Sequence, residues 1–215
     1  MAQIQTVRGP IDSAQLGTTL MHEHVFVLDQ EISENYPENW GLEEKRVADA
    51  VSRLNELKSR GVDTISTHTH ARRRVGLDQQ RIFREEGVDL SRVVIGHSGD
   101  TTDLDYLEEL ISHGSYLGMD RFGIDSILSF EDRVNTVAAM CARGYAERMV
   151  LSHDAACYMH HLPERELPAL LPRWHYLHIH NDVLPALKQK GVSDEQLHTM
   201  LVENPRQIFE RQGAY

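Results

Sequence analysis

A His-x-His motif stands near the beginning of the chain, where His22 and His24 flank Glu23. The residues around the motif, 17–26, are predicted to form a strand that runs from apolar residues into the histidine pair. In an extended backbone successive side chains point to opposite faces, so the two imidazoles project the same way, about 6.5 to 7 Å apart along the strand. Two imidazoles presented side by side are suitable ligands for one divalent metal ion.

Later strand ends carry side chains of the same kind. Two of them end near His68 and His97, and another ends near Asp154. Together with His22 and His24, these residues offer four imidazoles and one carboxylate, enough for one crowded ion or for two ions that share a bridging hydroxide. A metal-bound water has a pKa near 7, and Asp154 could bind a metal and also carry a proton from that water to the leaving group. A lone histidine is more often a hydrogen-bonded core residue, but this combination favours metal binding.

Two polar residues close to these positions each have two interpretations. Asp100, three residues after His97, could be an outer acid that orients a ligand or relays a proton. It could equally cap the N-terminus of the following helix. Arg121 could donate hydrogen bonds to a substrate oxygen, or it could form a surface pair with Asp120.

Composition and charge argue against several classes of protein. The chain has 215 residues, 40% of them hydrophobic and 26% charged, which is typical of one globular domain spanning 1–215. Its net charge of −11 argues against a nucleic-acid partner, which would need clustered lysine and arginine. No apolar stretch approaches the roughly 18 to 20 residues of a membrane span. Two cysteines are too few for a disulfide framework, so we expect reduced thiols and a cytoplasmic location.

Predicted strands and helices alternate along the chain. Val47, Val51, Leu54 and Leu57 recur at helical spacing and Gly61 ends the pattern, which predicts a helix over 42–60. This alternation is typical of an α/β fold, and in a (β/α) barrel of the TIM type the active site lies at the carboxyl ends of the strands. The predicted strands are 17–26, 62–70, 92–97, 116–120 and 149–153, and the other helices are 77–86, 103–113, 130–143, 177–190, 194–203 and 205–212.

Several motifs occur in the order found in one known family. The chain resembles the phosphotriesterase family of the amidohydrolase superfamily, and within it the phosphotriesterase-like lactonases. The resemblance extends through nearly the whole chain to ENPR at 203–206. Its motifs are GTTLMHEHVF (17–26), THTH (67–70), RVVIGHSGDT (92–101), GMDR (118–121) and LSHD (151–154).

The resemblance implies a role for each predicted site residue. His22 and His24 would bind a more buried metal ion, His68 and His97 a more exposed one, and Asp154 would be both ligand and proton shuttle. Arg121 matches a position that contacts the substrate in lactonases, and Asp100 matches an acid outside the ligand set. The implied activity is hydrolysis of lactones, including acyl-homoserine lactones, with weaker hydrolysis of organophosphates. The implied cofactor is zinc, with cobalt, manganese or iron as alternatives, at one or two ions per chain.

The chain departs from the family at one junction. Residues up to Ile65 resemble the start of the family's second strand, and residues from Ser66 resemble its fifth. The block between them would contain the third and fourth strands and the lysine that bridges the two metals. The four lysines present all fall in predicted helices, so none replaces it by position: Lys45, Lys58, Lys188 and Lys190.

The missing block changes the expected architecture. About five βα units remain, and five tilted strands cannot close the geometry of an eight-stranded barrel without a new shear and radius. We therefore expect either an open sheet covered by helices or a sheet completed by a homo-oligomer. Without the bridging lysine, we expect one tight metal site and a weak second one.

Two functional hypotheses follow. The first is a metal-dependent hydrolase in which a metal-bound hydroxide attacks a small-molecule lactone or ester. The second is a catalytically impaired family remnant that acts as a metal-binding scaffold or interaction protein. A metal-dependent nuclease would share the His-x-His motif, but it fits the acidic charge poorly.

Overall fold

Short parallel strands carry the histidine pair and the other predicted ligands. The computed structural model describes residues 2–66, 75–160 and 166–210. Strands β1 (Gln3–Thr6) and β2 (Gly9–Asp12) form an antiparallel hairpin near the N-terminus. The remaining strands are β3 (Thr19–Leu20), β4 (His24–Val27), β5 (Thr64–Ile65), β6 (Val94–Ile95), β7 (Tyr116–Met119), β8 (Met149–Leu151) and β9 (Ala156–Met159).

Parallel pairing brings the strand ends together. Strands β6, β7 and β8 form one sheet in that order, β3 pairs with β5, and β4 pairs with β9. The chain changes partner inside the His-x-His motif: Glu23 N–H donates to the Ser66 carbonyl (2.8 Å), and His24 N–H donates to the Ala155 carbonyl (2.8 Å). The histidine pair therefore lies between the segment that follows β5 and the segment that joins β8 to β9.

Nine α-helices in the described ranges surround these strands. Neighbouring parallel strands must be joined by a crossover connection. Helix α4 (Leu104–Ser112) forms it between β6 and β7, and helix α5 (Phe130–Ala142) forms it between β7 and β8. Two π-helical turns, Ile179–Val183 and Thr199–Glu203, precede α7 and α9. The helices are α1 (Gln30–Asn35), α2 (Glu43–Ser59), α3 (Val75–Glu85), α4 (Leu104–Ser112), α5 (Phe130–Ala142), α6 (Leu167–Leu170), α7 (Leu184–Gln189), α8 (Asp194–His198) and α9 (Asn204–Glu210).

The predicted α/β fold is confirmed, with differences in detail. Within the described ranges β5 pairs only with β3, and β6 pairs only with β7, so these strands do not form one closed ring. The predicted strand over 17–26 consists of two short strands, because its ladder switches partners at the histidine motif. The rest of the predicted strand over 62–70 lies largely outside the described residues.

Helix α2 is rotated relative to the predicted apolar face. Ala50 and Leu57 are buried and Leu54 packs against the core, whereas Val47 is 43% exposed and Val51 is 51% exposed. Three of these five apolar positions therefore contact the core, and the other two leave an apolar strip on the surface.

The buried core joins the strands to the helices that follow them. Leu117 and Leu151 of the sheet pack in one cluster with Leu107, Val137 and Leu187 of the helices. Burial of these side chains, at about 1.5–3 kcal/mol each, is the main force that holds the strand ends in register.

Both cysteines are free and buried. Burial raises the pKa of the Cys141 thiol to about 11 and also raises that of Cys157. Across the described ranges, no helix combines the length and apolar character needed to cross a membrane.

Candidate metal centre

Three residues at consecutive strand ends adopt a left-handed backbone conformation. His97 (φ 59°) follows β6, Arg121 (φ 62°) follows β7, and Asp154 (φ 57°) follows β8. Among the described residues, no other non-glycine residue has a positive φ. Such conformations are unfavourable for residues with a Cβ and occur most often at functional sites. The unusual backbone therefore coincides with three of the predicted site residues.

The His-x-His pair and Asp154 converge on one point. Nε2 of His24 lies 3.1 Å from Asp154 Oδ1, and Nε2 of His22 lies 3.3 Å from the same oxygen. The imidazole centroids are 5.3 Å apart, and one ligand atom from each of the three residues lies within 4.8 Å of the others. Two imidazole nitrogens and one carboxylate oxygen match a zinc site with three protein ligands and an open position. The donor set therefore fits a divalent ion.

Asp120 orients two of the predicted ligands. It is 1% exposed, and its two carboxylate oxygens accept hydrogen bonds from His22 Nδ1 (2.8 Å) and His97 Nδ1 (2.9 Å). The backbone N–H of His97 donates to it as well (3.0 Å). A carboxylate can only accept, so both histidines carry their proton on Nδ1 and direct Nε2 away from Asp120.

Hydrogen bonds and charges within the cluster shift the pKa values of Asp120 and His22. Burial alone would raise the pKa of Asp120, but hydrogen bonds from His22 and His97 outweigh it and hold the pKa well below its usual range. Burial lowers the pKa of His22, but the carboxylates of Asp120, Asp154 and Glu23 together outweigh this effect and raise the pKa overall. Asp120 is therefore an anion that fixes the ring orientation of its partners.

Local sequence suggests only a surface pair between Asp120 and Arg121, so it does not predict this role. An indirect signal lies in two strand-end glycines. A Cβ on Gly96 would lie 3.7 Å from Asp120 Oδ2, and a Cβ on Gly118 would lie 3.4 Å from it and 3.1 Å from Gly96 Cα. Glycine in a strand often marks a place where another group approaches the backbone closely.

Arg121 connects the two predicted acids. Its Nη1 donates to Asp100 Oδ2 (2.8 Å), and its Nε donates to Asp154 Oδ2 (3.2 Å). Burial would lower the pKa of Arg121, but Asp100 and Asp154 raise it. The surface pair with Asp120 is wrong, and so is the capping role of Asp100. The N-cap of α4 is Asp103, whose carboxylate accepts from Tyr106 N–H (3.1 Å).

A cavity of about 260 Å³ opens beside the cluster. One part of its wall is polar, and the rest is mainly aliphatic and aromatic. This division suits a small molecule with a polar reacting group and an apolar substituent. The polar lining residues are His24, Arg121 and Asp154, and the others are Val27, Ile124, Ile127, Met159 and Trp174.

His68 lies outside the described residues, so its place in the site stays a prediction. His97 lies near the cluster, with its Nδ1 4.0 Å from Asp154 Oδ2. The four lysines of the chain lie on or directly after helices α2 and α7, and none lines the cavity.

Several known proteins are similar to this chain. The model of the phosphotriesterase family matches residues 2–66 and 64–209. A phosphotriesterase homology protein of Mycobacterium tuberculosis is 48% identical over 325 aligned positions that cover 100% of both chains. The structure of the phosphotriesterase from the same organism superposes with a TM-score of 0.94 at 46% identity, covering 99% of this chain and 100% of that one.

A more distant structure shares the fold. A variant of a phosphotriesterase-like lactonase of Deinococcus radiodurans has a TM-score of 0.84 at 22% identity, and covers 96% of this chain and 99% of that one.

The matches also locate the missing block. The two segments of the family match meet at residues 64–66, at the junction predicted between Ile65 and Ser66. The 325-position alignment leaves about 110 positions of the Mycobacterium tuberculosis protein without a counterpart among the 215 residues here. The resemblance drawn from the motifs is confirmed, and the chain belongs to the phosphotriesterase family.

Proposed function

We propose that this chain is a metal-dependent hydrolase of lactones and related esters, including organophosphate esters. The observation that carries the proposal is the convergence of His22, His24 and Asp154 beside a cavity that Arg121 also lines. The names of the compared proteins, phosphotriesterase and lactonase, support both ester classes. Acyl-homoserine lactones fit the pattern of one polar and one apolar cavity wall.

The residues of the cluster would hold the ion. His22, His24 and Asp154 supply a nitrogen, nitrogen and oxygen set that suits zinc, and cobalt, manganese or iron could replace it. A divalent ion here supplies a Lewis acid for a carbonyl or phosphoryl oxygen and lowers the pKa of a coordinated water. Asp120 keeps the proton of His22 on Nδ1, which leaves Nε2 available as a ligand atom.

The protein groups have separate tasks in the reaction. Asp154 Oδ1 faces the two histidines, and Oδ2 accepts a hydrogen bond from Arg121, which stabilises the charged carboxylate. As an anion, Asp154 would accept a proton from the attacking water and deliver it to the leaving oxygen. Arg121 lines the cavity and can donate to an oxygen of the substrate. The apolar wall binds the substituent and excludes water from it.

A second ion would depend on His68 and His97. The family's bridging lysine has no counterpart among Lys45, Lys58, Lys188 and Lys190. We therefore propose one tightly bound ion and a second, weaker one. A reducing compartment such as the cytoplasm suits the two buried free thiols.

The first test measures metal content and hydrolysis on the same samples. We expect at least one zinc ion per chain by elemental analysis after gel filtration, together with hydrolysis that a chelator removes and zinc restores. His24→Ala should lose both, because it removes a ligand that lies 3.1 Å from Asp154 Oδ1. The matched control is His198→Ala, because His198 is an exposed histidine on α8, and this variant should keep both.

The internal gap favours a second candidate, a metal-binding scaffold without turnover. The alignment gap of about 110 positions removes a large part of the fold seen in relatives. A full metal complement with no hydrolysis across lactones, aryl esters and phosphotriesters would support the scaffold. Absence of bound metal would contradict both candidates.

We also propose that the chain forms a homo-oligomer that covers surface left by the missing block. Helix α2 exposes Val47 and Val51 one turn apart, and Leu42 before it is 62% exposed. Sedimentation velocity should show a dimer or larger species at micromolar concentration, and Val51→Lys should shift it towards monomer. The matched control is Ile82→Lys on α3, where Ile82 is 48% exposed. A monomeric wild-type chain would contradict this proposal.

A further inference from the structure

Glu23, the residue between the two histidines, lies just before β4 and is fully buried. Its Oε1 accepts from the backbone N–H of His153 (2.8 Å) and from His153 Nδ1 (2.7 Å). Its Oε2 accepts from the backbone N–H of Ala155 (3.0 Å). One buried carboxylate thus receives three hydrogen bonds from the segment that joins β8 to β9.

The two backbone donors lie on either side of Asp154. Asp154 has a left-handed backbone (φ 57°), and its own N–H donates to the His22 carbonyl (3.0 Å). Three consecutive peptide groups are therefore fixed by two neighbouring residues of the His-x-His motif. If Glu23 lost its acceptors, two buried N–H groups would lack partners and the segment could relax towards extended backbone. That change would turn the Asp154 side chain away from the histidines.

His153 extends this arrangement to the C-terminal helices. Its Nε2 accepts from the backbone N–H of Ile179 (2.9 Å), so its proton resides on Nδ1 and is donated to Glu23. Its carbonyl accepts from Trp174 Nε1 (2.9 Å), and Trp174 lines the cavity. The imidazole is fully buried. The backbone amides of His153 and Ala155 and the fixed His153 imidazole therefore all hold the Glu23 carboxylate in one orientation.

We propose that Glu23 is a positioning residue for the metal centre. It holds the backbone on both sides of Asp154 and so directs the Asp154 carboxylate towards His22 and His24. This inference rests on the proposed function, because its consequence is the affinity of that cluster for a divalent ion. The motif would then supply two ligands, His22 and His24, and would also hold a third ligand, Asp154, through Glu23.

Glu23→Gln is the direct test, because the amide keeps the shape of the side chain but has one acceptor oxygen instead of two. In metal-free protein, the amides of His153 and Ala155 should lose hydrogen-exchange protection. Titration with Co²⁺ should show an affinity lowered by about 10- to 100-fold and a changed visible spectrum, as for other losses of support around a metal ligand. His153→Gln leaves both backbone donors paired with Glu23, and should have a smaller effect on Co²⁺ affinity.

A second buried polar residue provides the control for simple destabilisation. Gln80 is fully buried, and its side chain bonds to the Leu110 carbonyl (2.8 Å) and to His113 Nδ1 (2.9 Å), neither of them a residue of the metal cluster. Gln80→Leu should lower the thermal midpoint and leave the Co²⁺ affinity and spectrum unchanged. If Glu23→Gln does not fold, Glu23→Asp, which shortens the reach to both amides, is measured instead.

Failure of the positioning role of Glu23 can be distinguished from failure of the metal centre itself. Wild-type Co²⁺ affinity and spectrum in folded Glu23→Gln or Glu23→Asp would overturn the positioning role while leaving the metal centre intact. Absence of Co²⁺ binding by the wild-type chain would overturn the proposed function, and the role of Glu23 in metal positioning with it.

Discussion

Replacing Asp154 with asparagine should lower kcat for a lactone or ester by about 10²- to 10⁴-fold, the usual contribution of a positioned acid or base. One oxygen of Asp154 faces the Nε2 atoms of His22 and His24, and the other accepts from Arg121. An amide keeps this shape but cannot accept the proton of the attacking water. KM should change much less than kcat, because the apolar wall of the cavity is untouched.

The measurement compares kcat and KM per bound ion, with metal content determined on each sample. Asp182→Asn is the matched control: Asp182 accepts from His178 Nδ1 (2.7 Å) on the surface of the C-terminal helices, and its side chain is 53% exposed. It should keep wild-type kinetics. Wild-type kcat per bound ion in Asp154→Asn would exclude Asp154 as the proton carrier.

Replacing Arg133 with methionine should lower the free energy of unfolding by about 3–5 kcal/mol, the cost of removing one partner of a buried ion pair. Arg133 lies on α5, is 1% exposed and donates to Asp100 Oδ1 (2.8 Å). It also donates to the carbonyls of Gly99 (2.7 Å) and Asp120 (3.1 Å). Methionine fills part of the volume but leaves these acceptors without their donor.

Urea unfolding of metal-free protein measures this effect without contributions from metal binding. Arg81→Met is the control, because the side chain of Arg81 is 57% exposed and pairs with Glu85 one turn along α3. Exposed pairs of this kind contribute little to stability. A loss in Arg133→Met no greater than in Arg81→Met would contradict the structural role of the buried guanidinium.

The helices with strong local signals were predicted closely. Helix α5 was predicted over 130–143 and spans Phe130–Ala142, because Ser129 caps its first turn and Gly144 (φ 89°) follows its end. The shared direction of His22 and His24 was also predictable, because it depends only on strand alternation. These features are decided by residues a few positions apart.

Features that depend on distant residues were not predictable from the sequence. Asp120 and Glu23 are ordinary acidic residues until the fold brings His22 to Asp120 from 98 positions away and His153 to Glu23 from 130 positions away. The partner switch inside the His-x-His motif likewise depends on the segments at 64–66 and 154–159. Tertiary contacts decide these interactions, and no local pattern encodes them.

A local sequence signal marks the two π-helical turns, although the helical spacing of the apolar residues does not reveal it. Each ends two residues before a proline, Pro185 in α7 and Pro205 in α9. Proline has no N–H to offer the carbonyl four residues earlier, so the preceding turn can widen to the next donor. Proline within an apparently continuous helix therefore marks both irregular turns.

Three residues that follow consecutive strands, His97, Arg121 and Asp154, have a left-handed backbone that lowers the stability of the fold while their side chains form the site. A residue held in a sparsely populated backbone region carries about 1–3 kcal/mol of strain, which glycine would relieve. Selection for heat resistance alone would therefore favour glycine at His97, Arg121 and Asp154, and would remove the side chains that form the site. The chain nevertheless has a side chain at all three positions. It therefore carries strain where substitution by glycine would be a simple way to raise its stability.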